Sequence, residues 1–271
     1  MKARAFVFSL AVGAAGFLAS CGMSPSSSEL SVSNGKEIPL SDYPEVIMLY
    51  DKEKGALCTG TFIDEVTVLT AAHCSMNGPV IDSQTGKVDR TLQLITMENV
   101  DGEKKATILA ESTEIYRHPK WDDEFKKQQV NSYDLGIVRF EKGVASAVAE
   151  MGSSPVKRGD DLTVIGFGLN YVPRNQNDID PSSVGVKRLG TNSVMMLQGG
   201  FIYFQGATKT TDASGNNANA APGDSGGPMF IDGKLVGVTS GGGRTIFGGG
   251  VSVYVDLQSN SSREFLGSLG Y

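Results

Sequence analysis

The sequence predicts an all-β protein, and three observations carry that expectation. The apolar segments are short and often β-branched, turn words separate them, and almost no long stretch repeats with the 3.6-residue period of a helix. The expected strands are Val46-Tyr50, Thr61-Thr70, Arg90-Met97, Leu135-Phe140, Leu162-Phe167, Val194-Phe204, Pro228-Ile231, Lys234-Thr239 and Val251-Val255. Asn77-Gly78, Asp101-Gly102 and Asp232-Gly233 punctuate them, and the last pair, flanked by two apolar runs, reads as a hairpin turn. Barrels or sandwiches are the architectures such a pattern builds. A helix is expected near the end, where Ser261 and Glu264 form a capping-box word before Phe265 and Leu266.

At 271 residues the chain has enough length for two cores of roughly 100 to 120 residues each. A boundary is expected between Glu141 and Gly159, giving units at about 32–145 and 155–271. The polar stretches 170–183 and 208–221, rich in Asn, Asp, Ser and Gly, read as exposed loops. A net charge of -6 and the lack of any long Lys/Arg block exclude nucleic acid as an expected partner.

Lys2 and Arg4 precede an apolar run from Ala5 to Leu18, the pattern of an export signal over residues 1–20. Leu18-Ala19-Ser20-Cys21 resembles the lipobox of bacterial lipoproteins, which makes Cys21 the expected lipidation site and membrane anchor. Gly22, in place of an aspartate, favours the outer membrane. Residues 21–31, mostly Ser, Pro and Gly after that cysteine, read as a tether or propeptide. Of the 3 cysteines, that assignment leaves Cys58 and Cys74, most simply a disulfide in an exported protein.

Three short words carry the chemistry. Gly223-Asp224-Ser225-Gly226-Gly227-Pro228 sets a serine among glycines that let the backbone turn tightly and aim N–H groups at one spot. Thr70-Ala71-Ala72-His73-Cys74 supplies a base, and Asp134-Leu135-Gly136-Ile137-Val138 a carboxylate with an apolar flank; the alternatives Asp122 and Asp123 lie in a charged run with Glu124, Lys126 and Lys127 that reads as solvated surface. A serine hydroxyl needs a base to take its proton, and the base needs a carboxylate to fix its tautomer. His73, Asp134 and Ser225 are thus the candidate triad, with the Gly223 and Ser225 N–H groups as oxyanion donors. His118, the other of the 2 histidines, lacks a nearby nucleophile word and is expected to pack. Two histidines give poor support to a zinc site, and the chemistry needs no metal or cofactor.

These words, in the order His, Asp, Ser, resemble those of trypsin-like (chymotrypsin-fold) serine endopeptidases, with the weaker Val164-Ile165-Gly166-Phe167-Gly168 in support. The likeness runs from about Val32 to Leu269. It implies two six-stranded antiparallel β-barrels packed perpendicular, a C-terminal α-helix, a site in the cleft, the Cys58 to Cys74 disulfide, and protein or peptide substrates. It further implies activation by cleavage before Val32, whose ammonium would pair with Asp224. Val32-Ser33-Asn34-Gly35 fits that role in part, because Ser33 stands where the family has a bulky apolar residue. Asn219, Thr239, Gly241 and Gly250 take the primary-pocket positions. Asn219 brings no charge there, so an uncharged residue is expected before the cut bond. No cysteine follows Cys74, so the family's second-barrel disulfides are absent. A catalytically silent binding protein on the same fold is the competing expectation. An α/β-hydrolase is disfavoured by the nucleophile word and by His preceding Ser. A monomer is the default.

Overall fold

The computed structural model describes residues 32–271 except 77, 102, 129, 175–182 and 247, together with the backbone of a two-residue strand, β1 (Arg4–Ala5). Apart from those two residues, the expected leader and the tether with Cys21 lie outside the described residues. No described helix is long and apolar enough to cross a membrane.

Two sheets organise the chain, and every strand pairing in them is antiparallel. β2 (Lys36–Glu37) joins the second sheet; the first continues with β3 (Val46–Asp51), β4 (Ala56–Phe62), β5 (Thr67–Thr70), β6 (Val80–Asp82), β7 (Lys87–Val88), β8 (Gln93–Val100), β9 (Glu103–Glu111), β10 (Glu114–Arg117) and β11 (Gly136–Arg139). The second is built from β12 (Asp161–Gly166), β13 (Arg188–Ser193), β14 (Met196–Gln198), β15 (Phe201–Gly206), β16 (Pro228–Ile231), β17 (Lys234–Arg244) and β18 (Gly250–Asp256). Their orders are β1-β9-β8-β3-β4-β5-β11-β10-β7-β6 and β14-β15-β18-β17-β16-β12-β13-β2. The expected pair of antiparallel β units is therefore present, with ten strands in the first sheet and eight in the second in place of six each.

One apolar core spans both sheets. Met48, Leu49, Phe62, Leu69, Ile115, Ile137 and Val138 from the first cluster with Phe167, Phe230 and Leu235 from the second and with Phe265 and Leu266 of the C-terminal helix. A second core, with Leu162, Val164, Ile202, Phe204, Met229 and Tyr254, fills the second sheet and takes in Val32. Because the first core joins the sheets, side chains carried by either are held at a fixed distance from the other.

The structure differs from the sequence reading at several places. The run Thr61-Thr70 is two strands, because Asp64 Oδ1 accepts from the Val66 and Thr67 N–H groups, both at 2.8 Å, and turns the chain. The run Val194-Phe204 is likewise divided at Gly199 and Gly200, with φ of 63° and 83°. Residues 121–127, charged enough to read as solvated surface, form helix α1 (Trp121–Lys127): acidic Asp122, Asp123 and Glu124 occupy its first turn and Lys126 and Lys127 its last. Trp121 is buried and stacks on Phe125 at 4.7 Å, anchoring that short helix. The closing helix α2 (Asn260–Ser268) is capped by Ser259, whose side chain accepts from the Ser262 N–H, and not by Ser261. The Asp232-Gly233 hairpin is as expected, with φ of 50° and 74° and Ile231 paired to Lys234.

His118 packs between Tyr133 and Phe265, with ring centroids at 4.7 and 5.2 Å, and its Nδ1 accepts from the Lys120 N–H. Burial pushes this imidazole down to about 4, against a smaller upward pull from its hydrogen bond to the Ser261 backbone. A depressed folded-state value gives stability that is complete above the unfolded value of 6.5 and lost as pH falls through about 4. Substituting His118→Phe is expected to remove up to about 3 kcal/mol of the acid-side loss of stability between those limits. Urea denaturation of both proteins across that pH range measures it.

Candidate active site

His73 follows β5 on a 3-10 turn, Ala72–Ser75, and is partly exposed while its neighbours Ala72 and Cys74 are buried. The next residue, Cys74, is bonded to Cys58 of β4, so the turn is tied covalently to the middle of the first sheet. Asp134 lies just before β11 and is 1% exposed. Its Oδ1 accepts from the His73 backbone N–H at 2.9 Å, and its Oδ2 faces His73 Nδ1 at 2.7 Å. Ser240 of β17 donates its hydroxyl to the same Oδ2 at 2.7 Å. The buried carboxylate thus has three partners, one of them from the other sheet.

Burial alone would lower the imidazole of His73, but the charge and hydrogen bond of Asp134 outweigh it and hold the ring above its ordinary value. The contact leaves Nε2 as the nitrogen available to a second group. This is the arrangement a general base needs.

Ser225 sits on the turn between the second insertion and β16. Its carbonyl accepts from the Thr59 N–H of β4 at 2.8 Å, and the Thr59 hydroxyl donates to the Gly223 carbonyl at 3.0 Å. The same Ser225 carbonyl lies 3.7 Å from Cys74 Sγ, which in a disulfide carries no proton to donate. The nucleophile turn is thereby seated beside the Cys58 to Cys74 bridge that carries the histidine. Left-handed φ values of 99° at Gly223 and 81° at Gly226 make the turn possible. A Cβ on Gly223 would lie 2.6 Å from the Gly168 Cα, and one on Gly226 would strike the Thr70 hydroxyl and the Thr59 carbonyl.

The backbone donors of this turn divide into two sets. Asp224 N–H bonds to the Ala221 carbonyl, Gly226 N–H to Thr239 and Gly227 N–H to Asp224. The N–H groups of Gly223 and Ser225 donate to no acceptor among the described residues, and both residues are partly exposed. Two unspent donors two residues apart on a tight turn are the requirement for holding an oxyanion.

Beside Ser225 opens a cavity of about 310 Å³ lined by Val172, Pro173, Ala220, Ala221, Pro222, Thr239, Gly241, Gly242 and Gly243. None of these side chains is charged. Of the expected pocket residues, Thr239 and Gly241 line it. Asn219 and Gly250 pack against each other behind it: Asn219 accepts from the Ser252 hydroxyl at 2.7 Å and donates to the Ala220 carbonyl at 3.1 Å.

Asp224 is buried and turned away from the cavity, with its oxygens accepting from the Gly168 and Ala221 N–H groups at 2.9 and 2.8 Å. Burial pushes its carboxyl up to about 7, against the downward pull of those amides and of the Arg188 charge. Val32 is buried with a φ of 46°, and Ser33 exchanges backbone hydrogen bonds with Asn219 at 2.9 and 3.0 Å. Cys58, His73 and Cys74 form the one cluster among the described residues with the spacing of a metal site, but its sulfurs are bonded to each other and offer no thiolate. Sequence reasoning missed Thr59 and Ser240, since a threonine and a serine inside β-rich runs carry no local mark of their role.

A buried aspartate thus lies on a histidine, near a serine turn with two unspent amides, on a two-sheet β fold. The trypsin family model matches residues 32–262, and the chain belongs to that family. Similar relatives include snake venom serine protease 3 of Protobothrops flavoviridis, 27% identical over 223 residues that cover 81% of this chain and 79% of that protein. A trypsin of Saccharopolyspora erythraea is 24% identical over 215 residues, covering 76% of this chain and 84% of its own. Among solved structures, a Glu endopeptidase in complex with MPD superposes with a TM-score of 0.59 over 89% of this chain and 98% of its own, at 13% identity. That likeness concerns the fold alone.

With only two histidines in the chain, each gives a resolvable imidazole signal. The Asp134→Asn substitution removes the charge that raises His73, so the His73 proton resonance is expected to titrate at a lower pH while that of His118 stays put. An NMR titration of the wild type and the variant reads both shifts.

Proposed function

We propose that the protein is a serine endopeptidase working through His73, Asp134 and Ser225. Ser225 Oγ attacks the carbonyl carbon of the substrate while His73 Nε2 takes its proton; the oxyanion accepts from the Gly223 and Ser225 N–H groups. His73 returns that proton to the leaving amine as the C–N bond breaks. Water, deprotonated by the same imidazole, then attacks the acyl carbon, the bond to Ser225 Oγ breaks as the imidazolium returns the proton to that oxygen, and Asp134 balances the imidazolium in both halves. The observation that carries this reading is the Asp134 carboxylate held on both the backbone and the ring of His73, beside a serine turn whose two N–H groups are unspent.

The uncharged cavity beside Ser225 supports an uncharged residue before the cut bond, with Asn219 and Gly250 forming the packed layer under Thr239 and Gly241. Cleavage before Val32 is the proposed activation step. A β-branched residue at a φ of 46° is strained, and cutting the preceding peptide bond removes that torsion. The resulting ammonium would meet the Asp224 carboxylate, whose raised value reflects incompletely balanced burial. Unpaired, Asp224 contributes stability that is full below 3.8 and lost as pH rises through about 7; an ammonium partner lowers its value and reverses that dependence. Export by the leader, lipid on Cys21 in the outer membrane, release on cleavage, protein or peptide substrates and a monomeric state complete the reading.

Intact mass and N-terminal analysis before and after a fluorophosphonate probe test it. The expected result is an adduct on Ser225 in a species beginning at Val32. An adduct on a species beginning at Cys21 would refute the activation step, and no adduct on either would favour the silent binding protein. Replacing Ser225→Ala is expected to lower kcat/KM by roughly 10⁴-fold or more, read with a peptide library in wild type and variant.

A further inference from the structure

Val172 and Pro173 wall the cavity beside Ser225, yet they belong to a polar insertion that no disulfide ties to the second sheet. What holds them is Arg244, at the end of β17. Its Nε and Nη2 both donate to the Val172 carbonyl, at 2.9 and 2.6 Å, and its Nη1 donates to the Thr208 hydroxyl at 3.2 Å.

The Thr208 contact extends the tie, because residues 208–210 run beside 170–172. Val172 N–H donates to the Thr208 carbonyl at 3.1 Å, Tyr171 pairs with Lys209, and the Thr210 hydroxyl donates to the Asn170 carbonyl at 2.9 Å. At the far end Asn34 N–H donates to that same hydroxyl at 3.1 Å. Residues 170–172 and 208–210, read from the sequence as parts of separate exposed loops, therefore pair with each other, with a cation fastening one end of the pairing. Across the cavity β17 contributes Gly241, Gly242 and Gly243, which have no side chains. The apolar bulk that limits the cavity thus comes from Val172, Pro173 and the turn at 220–222.

We infer that Arg244 is the positioning residue that sets the width of the primary pocket, by pinning the Val172-Pro173 wall over Ser225, and so selects the size of the uncharged residue before the cut bond. A guanidinium is suited to such a tie because its planar fork presents several donors in fixed directions, so one side chain holds a carbonyl and a hydroxyl at once. The inference rests on the endopeptidase reading of the same site.

The test compares wild type, Arg244→Ala, Arg244→Lys and Val172→Phe, using peptides varied at the residue before the cut bond and the rate of Ser225 labelling by a small fluorophosphonate. In Arg244→Ala, KM for the best apolar substrate should rise about tenfold with kcat held within about twofold, and the size preference should flatten. Labelling of Ser225 should stay within about twofold of wild type, because the probe does not use the wall. Arg244→Lys should recover part of the preference, since one ammonium reaches fewer of the acceptors. Val172→Phe leaves the Arg244 bonds in place and should shift the preference to smaller residues. An unchanged size profile in Arg244→Ala with normal labelling overturns the inference while leaving the endopeptidase reading intact. Loss of labelling together with thermal stability in that variant makes Arg244 a general structural residue and also overturns it. Wild type that does not label at all refutes the endopeptidase reading itself.

Discussion

The carboxylate of Asp134 is the group around which the molecule is arranged. Removing a charge of this kind from water costs several kcal/mol unless donors replace the lost hydration. Those donors come from two directions: the backbone and ring of His73 on the first sheet, and the hydroxyl of Ser240 on the second. Satisfying one buried group therefore requires both sheets to meet in one register. The apolar core that joins them supplies most of the attraction, and the carboxylate supplies the alignment.

The nucleophile turn obeys the same logic. Thr59 of the first sheet holds the carbonyls of Ser225 and Gly223, while the N–H groups of the same two residues, both partly exposed, donate to no acceptor among the described residues. Backbone donors left unspent in a partly exposed turn cost little while water reaches them, and become strong ligands when a substrate displaces that water. The disulfide beside Thr59 brings the histidine turn to the same spot. His73, Asp134 and Ser225 are separate in sequence and are gathered by strand pairing and by three short polar contacts across the sheets.

The parts legible in the sequence are those whose chemistry is local. Ser225 among glycines, His73 before a cysteine and Asp134 before an apolar run each show their type within a few residues, and Asp232-Gly233 fixes its own turn. The sheet pattern was legible where strands alternate or are wholly buried. It failed at Glu103–Glu111, whose half-exposed charged face follows no simple period, and at Trp121–Lys127, where dipole-matched charges and one buried tryptophan make a helix out of a run that reads as surface. Thr59, Ser240 and Arg244 stayed hidden for another reason. The partners that give them their roles lie from 36 to 166 residues away, so those roles exist only once the chain is folded.

The order in which the chain is made gives the Ser240 contact a further meaning. A ribosome delivers His73 and Asp134 early, the Ser225 turn long after them, and Ser240 later still, within β17. Until that strand docks, Asp134 lacks its third donor and the glycine wall of the cavity does not exist. A chain that stops short of β17, whether from stalled synthesis or from a nick, therefore holds Asp134 without its Ser240 donor and Ser225 without the glycine run beside it.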